Sequence, residues 1–126
     1  MAKNLENEGL RSIVDNYDLF YIDLWGVVHN GIILHKKAIK TLKEITKAKK
    51  RYVLLTNAPR PNKTVKIFLE KMKMDKEIRE KVYTSGEAAL NYLKKNHLNE
   101  IFYHIGPTRD FDLFVNFKKS KTKNID

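Results

Sequence analysis

Two short polar groups each stand at the end of an apolar run. Asp23 follows Leu19-Phe20-Tyr21-Ile22, and Thr56-Asn57 follows Tyr52-Val53-Leu54-Leu55. A carboxylate can act as a nucleophile or hold a hard cation, while a hydroxyl and backbone amides can donate to a developing oxyanion. Gly26, three residues after Asp23, would let backbone approach a ligand closely. Taken alone, Asp23 carries two readings, a chemical group or a residue that turns the chain. The second run tips the balance, because strands of an open α/β sheet gather their ligands outside their carboxyl ends.

The elements that must position these groups follow from periodicity. The run at 19–22 is short, continuous and rich in aromatic and β-branched residues, which predicts a strand buried on both faces of a parallel sheet. Ala38, Ile39, Leu42, Ile45 and Ala48 mark one face of a helix over 36–50, the crossover that two parallel strands need. Val65, Phe68, Leu69 and Met72 define a second amphipathic helix with Pro61 near its first turn. Asp75 opens a short charged helical piece, and Val82-Tyr83-Thr84 reads as a brief strand. Ser85 is the expected N-cap of a helix carrying Glu87, Ala88, Ala89, Leu90 and Leu93. Leu10, Ile13, Val14 and Tyr17 recur at helical spacing and predict a short packing helix before the first strand. Between Gly26 and Gly31 the turn residues predict a tight, hairpin-like excursion, with His29 read as a solvent-exposed loop histidine ahead of a substrate contact. Residues 101–105 predict another strand, 110–117 satisfy neither period cleanly, and the basic stretch from 118 onward predicts a disordered tail.

Asp23-Leu24-Trp25-Gly26-Val27 and Leu54-Leu55-Thr56-Asn57 together resemble the first two motifs of the haloacid dehalogenase (HAD) superfamily of phosphohydrolases, in particular class IIA. The subgroup whose first motif reads Asp-Leu-Trp-Gly-Val is the most similar. The resemblance spans about residues 17–106 and covers the first half of a class IIA protein. It implies an α/β fold, a partial Rossmann-like parallel sheet with the beginning of an α/β cap. The implied organisation is an N-terminal part of the core over 1–81, the start of the cap over 82–117, and a tail over 118–126. It also implies a mobile flap after the first strand. The implied activity is hydrolysis of a small phosphorylated substrate through an aspartyl-phosphate on Asp23, with Thr56, Asn57 and Gly26 binding phosphate. Magnesium would be held by Asp23 and the backbone carbonyl of Trp25. Two departures weigh against ordinary activity. The family's usual second Asp, its general acid and base, is Trp25 here, and an indole cannot shuttle a proton at neutral pH. The family's later lysine and acidic motifs have no counterpart in these 126 residues, so the chain alone is expected to be inactive.

Composition narrows the alternatives. The net charge of +10 invites a nucleic-acid reading, but the lysines are scattered over every predicted helix instead of forming one stripe interleaved with aromatics. Specific nucleic-acid binding is therefore not expected. No apolar run reaches the eighteen or so residues of a membrane span. An acidic, polar N-terminus and the absence of cysteine fit a cytoplasmic location. In the resembling fold the first strand lies mid-sheet, so its outer side would be open here and self-association through that edge is expected. Three functional readings follow: a phosphohydrolase represented by its N-terminal half, a catalytically dead remnant of one, and a basic binding module. The motifs favour the first.

Overall fold

The computed structural model describes residues 5–107 and 113–120. A short helix, α1 (Leu5–Glu8), leads through two single 3-10 turns at Leu10–Ser12 and Val14–Asn16 into β1 (Leu19–Asp23). The expected amphipathic helix is thus replaced by separate turns. Gly9 begins the first with φ 66°, and Ile13 breaks the path between the two. Beyond β1 the order is α2 (Lys36–Lys47), β2 (Arg51–Thr56), α3 (Asn62–Lys71), α4 (Lys76–Arg79), β3 (Val82–Thr84) and α5 (Ser85–Asn96). Two short strands, β4 (Ile101–Phe102) and β5 (Lys118–Lys119), complete the described elements.

The sheet is parallel, with order β1-β2-β3. Leu19 pairs with Arg51 and Asp23 with Leu55, while Leu54 pairs with Val82 and Thr56 with Thr84. Each crossover carries the chain one strand further in the same direction. Parallel crossovers are right-handed almost without exception, so two successive steps in one direction put both connections on the same face. That face carries Phe20, Ile22, Tyr52, Leu54 and Val82, packed against Leu42 and Ile45 of α2, Val65 and Leu69 of α3, and Ile78 of α4.

The opposite face is largely open. Tyr21, Leu55 and Tyr83, which alternate with the core residues, are all exposed. β1 is therefore covered on one face only, where its composition predicts two. Its aromatic and β-branched residues suit either case, and it is the direction of winding that decides which is realised.

Two further expectations are refined. Val82–Thr84 lies in the core sheet beside β2, so that sheet continues past residue 81. Lys118 and Lys119, placed by composition in a disordered tail, pair in parallel with Ile101 and Phe102. The pairing is supported by Phe117, which is buried with Leu90 and Leu113 in a second small core. The extended run expected over 101–105 is a strand only at its first two residues. The rest of the expected tail, 121–126, and the ambiguous positions 110–112 lie outside the described residues.

Both long helices of the covered face end alike. After α2, the Lys50 amide bonds Ile45 O at 3.1 Å and the Lys49 amide bonds Thr46 O at 2.9 Å. After α3, Met74 reaches Leu69 O at 3.0 Å and Lys73 reaches Glu70 O at 2.8 Å. These are Schellman closures, and each puts a lysine, Lys49 or Lys73, in the left-handed region at φ 58° and 62°. A side chain there is strained against its own carbonyl, and glycine is not. Replacing Lys73 by Gly should raise stability by up to about 1 kcal/mol, less the entropy of the unfolded glycine. Replacing it by Ala should give no such gain. Urea unfolding of the two variants checks this, and a Gly variant no more stable than the Ala one would refute it.

Candidate active site at the carboxyl edge of the sheet

Asp23 is the last residue of β1 and Thr56 the last of β2. Because the strands are parallel and adjacent, both groups emerge at one edge. With Asn57 they line an open cleft of about 480 Å³ whose other walls are Tyr21, Leu55, Tyr83, Thr84, Ser85 and Ala88. The Asp23 carboxylate is exposed, and its Oδ1 accepts the Leu24 amide at 2.8 Å, which fixes the plane of the group and leaves the second oxygen open.

The loop after Thr56 is held by a hydrogen-bonded clasp from β3 and α5. The Thr84 hydroxyl donates to Arg60 O at 2.5 Å and accepts the Glu87 amide at 2.9 Å, while the Thr84 amide donates to Asn62 Oδ1 at 2.9 Å. Glu87 in turn accepts the Asn62 amide at 2.9 Å, and both the Gly86 amide and the Ser85 hydroxyl donate to Ala58 O at 3.1 Å. Thr84, 1 % exposed, is the N-cap of α5, a role expected of Ser85. The shift by one residue follows from Thr84 ending its strand in extended conformation with its hydroxyl one turn below the Glu87 amide. A β-carbon on Gly86 would lie 2.4 Å from the Arg60 nitrogen, so only glycine lets the helix start press against this loop.

Gly26 and Trp25 belong to the loop after β1 and are not among the residues lining the cleft. Gly26 has φ 77°, and its amide bonds His29 O at 2.7 Å. The His29 amide bonds Leu24 O at 3.3 Å, forming a small parallel bridge between Trp25 and His29. Since peptide units are planar and trans, these bonds turn the amide and carbonyl of Trp25 itself to the opposite side. The carbonyl accepts no hydrogen bond among the described residues. The expected hairpin is thus a compact loop anchored by Val28, fully buried, whose carbonyl also receives the His35 amide at 2.8 Å.

His29 departs from the sequence expectation. It is 3 % exposed, with its ring edge-on to Trp25 (centroids 5.2 Å) and to Phe68 of α3 (5.7 Å). The alternation that buries Val28 gave no cue, because the loop carries no regular period. The Gly31 amide donates to its Nδ1 at 2.9 Å, which assigns the proton to Nε2. The Asp23 carboxylate and the Trp25 carbonyl, which the resemblance implies as cation ligands, are both hard oxygen donors of the kind magnesium takes. Among the described residues, no three His, Cys, Asp or Glu side chains gather into a metal cage.

A three-stranded parallel sheet with a carboxylate and a threonine at adjacent strand ends is a partial Rossmann-like core of the type the motifs imply. Residues 20–117 match the sequence profile of the haloacid dehalogenase-like hydrolases, and the chain belongs to that family. Among solved structures it is similar to a haloacid dehalogenase-like hydrolase from Brucella suis 1330, at 28% identity and a TM-score of 0.75 over 91% of this chain and 43% of that one. It shares its fold with a 4-nitrophenylphosphatase from Thermotoga maritima (24% identity, TM-score 0.66, 82% of this chain and 40% of that one). It also shares it with a glycerol phosphate phosphatase from Mycobacterium tuberculosis in complex with magnesium (22%, 0.63, 86% and 33%). The chain therefore spans less than half the length of these structures. No curated protein sequence matches it significantly. No helix among the described residues is long and apolar enough to cross a membrane.

Burial holds the His29 imidazole below the ordinary histidine range of about 6.5; nearby His35 adds to this and Asp23 opposes it. The folded chain therefore binds this proton more weakly than the unfolded chain does. The stability contributed by neutral His29 is present above about pH 6.5 and is lost as the pH falls through its lowered folded value. His29→Asn should lose less stability on acidification across this window than the wild type, measured by urea unfolding on either side of it. Equal losses would show that other groups account for the acid sensitivity.

Proposed function

We propose that this chain is the nucleophile-bearing half of a phosphohydrolase core that acts on a small phosphorylated substrate through an aspartyl-phosphate at Asp23. The observation that carries the reading is the convergence of Asp23, Thr56 and Asn57 on one cleft at the carboxyl edge of the sheet. The open oxygen of Asp23 attacks phosphorus in line with the leaving group. The Thr56 hydroxyl and the amides of the loop behind it, steadied by the Thr84 and Asn62 clasp, donate to the equatorial oxygens. Magnesium, held by Asp23 and the Trp25 carbonyl, would neutralise charge on the transferring group. Trp25 offers no proton to the leaving group, so that step is left to groups outside these residues.

With one carboxylate in the cleft and a bare sheet face, the chain by itself is inactive in this reading. Purified chain with magnesium and 4-nitrophenyl phosphate should show no turnover above the rate of an Asp23→Asn control. Turnover that disappears in that control would mean these residues suffice. The reading of a dead remnant draws on Trp25 and on the later lysine and acidic motifs that have no counterpart in these residues, and the convergence of Asp23, Thr56 and Asn57 on one cleft favours the catalytic one.

The open outer edge of β1 and the exposed Tyr21, Leu55 and Tyr83 also make self-association part of this reading. Sedimentation velocity at increasing protein concentration should show a rising average mass. A single monomeric species throughout would remove this element, and the charge of +10 would then be the force keeping copies apart.

A further inference from the structure

The loop between β1 and α2 contains the chain's single tryptophan. Its indole does not line the cleft, although Trp25 is only two residues from Asp23 and the residue is 61 % exposed. Instead it lies across Gly31. A β-carbon added there would sit 2.4 Å from the indole, and Gly31 itself has φ 89°. Two constraints thus favour glycine at one position: the left-handed backbone and the space taken by the ring.

His29 is the centre of this arrangement. Its ring fills the gap between Trp25 and Phe68, its Nδ1 takes the Gly31 amide, and its own backbone makes both bonds of the bridge to Trp25. A side chain that contacts both ends of a turn while anchored to a core helix restricts the turn far more than a backbone bridge alone. Edge-on aromatic pairs of this sort are each worth about 0.5–1.5 kcal/mol beyond the area they bury. Phe68 transmits the restraint from α3, whose Val65 and Leu69 are fixed in the core.

We propose that His29 is a positioning residue for the peptide unit of Trp25. By locking the indole over Gly31 it fixes the Trp25 peptide unit, whose carbonyl is turned away from the bridge to His29 and is the atom the proposed cation site would use. The unusual residue of the first motif is then a brace: its side chain stiffens the loop, and its backbone is what the site uses. The clamp would restrain the loop that the resemblance implies is a mobile flap. Only the catalytic meaning of this assignment rests on the proposed function. The clamp itself is a property of the isolated chain.

The test uses Trp25 fluorescence in the full chain. His29→Phe keeps a ring between Trp25 and Phe68 but removes the acceptor for Gly31. His29→Asn loses the ring but places an amide oxygen near the position of Nδ1. Steady-state anisotropy and acrylamide quenching of Trp25 report the loop, and far-ultraviolet dichroism reports the fold. The expected result is lower anisotropy and stronger quenching in His29→Phe, with partial return toward wild type in His29→Asn. Wild-type anisotropy and quenching in a folded His29→Phe would overturn the proposal, as would a folded Asn variant no better than Phe. Should His29→Phe fail to fold, Gly31→Ala decides: it leaves His29 intact and must displace the indole, shifting Trp25 emission. An unchanged spectrum would show that the ring is not held there. Terbium(III), excited through Trp25, separates the clamp from the catalytic reading. Loss of sensitised emission in His29→Phe and in Asp23→Asn supports both. Absence of emission from the wild type counts against the cation site while the anisotropy result still decides the clamp.

Discussion

The direction in which the sheet winds governs the rest of this structure. Two right-handed crossovers that step the same way place α2, α3 and α4 on one face and leave the other largely open, with only the start of α5 at its border. The core is accordingly one-sided. Phe20, Ile22, Tyr52, Leu54 and Val82 are packed, while Tyr21, Leu55 and Tyr83 on the same strands look outward. The same winding puts Asp23 and Thr56 at adjacent strand ends, so the feature that leaves the sheet half bare is also the one that assembles the cleft.

Around that edge two loops are held by different means. The loop after β2 is fixed by polar groups, with Thr84, Asn62 and Glu87 exchanging bonds with its backbone. The loop after β1 is fixed by rings, with His29 set between Trp25 and Phe68. Polar clasps of this kind are costly to leave half satisfied, whereas ring packing tolerates substitution by shape. The loop expected to present phosphate donors therefore has the stricter sequence requirements. The loop beside the nucleophile depends on ring volume and on one acceptor, the His29 Nδ1 that takes the Gly31 amide.

Much of this was legible in the sequence. The strand ending at Asp23, the strand ending at Thr56 and the amphipathic helices between them follow from apolar runs and a helical period, signals that local composition carries. What was not legible depends on tertiary placement. Burial of β1 on one face or two is set by where later elements go, and its own residues suit both. His29 sits in an irregular loop where no period marks inside from outside. The cap at Thr84 in place of Ser85 turns on where β3 ends, and neighbouring threonine and serine offer equivalent hydroxyls. Leu10, Ile13, Val14 and Tyr17 satisfied a helical spacing that the Gly9 and Ile13 backbone conformations interrupt.

The strand register has a consequence for the order of events during synthesis. Leu19 pairs with Arg51, and Leu54 with Val82, so each pairing closes a segment of only about 30 residues. Chains fold from the N-terminus as they leave the ribosome. This sheet can form once Thr84 has emerged, without waiting for any strand encoded later. For that interval the nascent chain carries a finished face and an unfinished one, with Tyr21, Leu55 and Tyr83 open to chaperones and to neighbouring nascent chains.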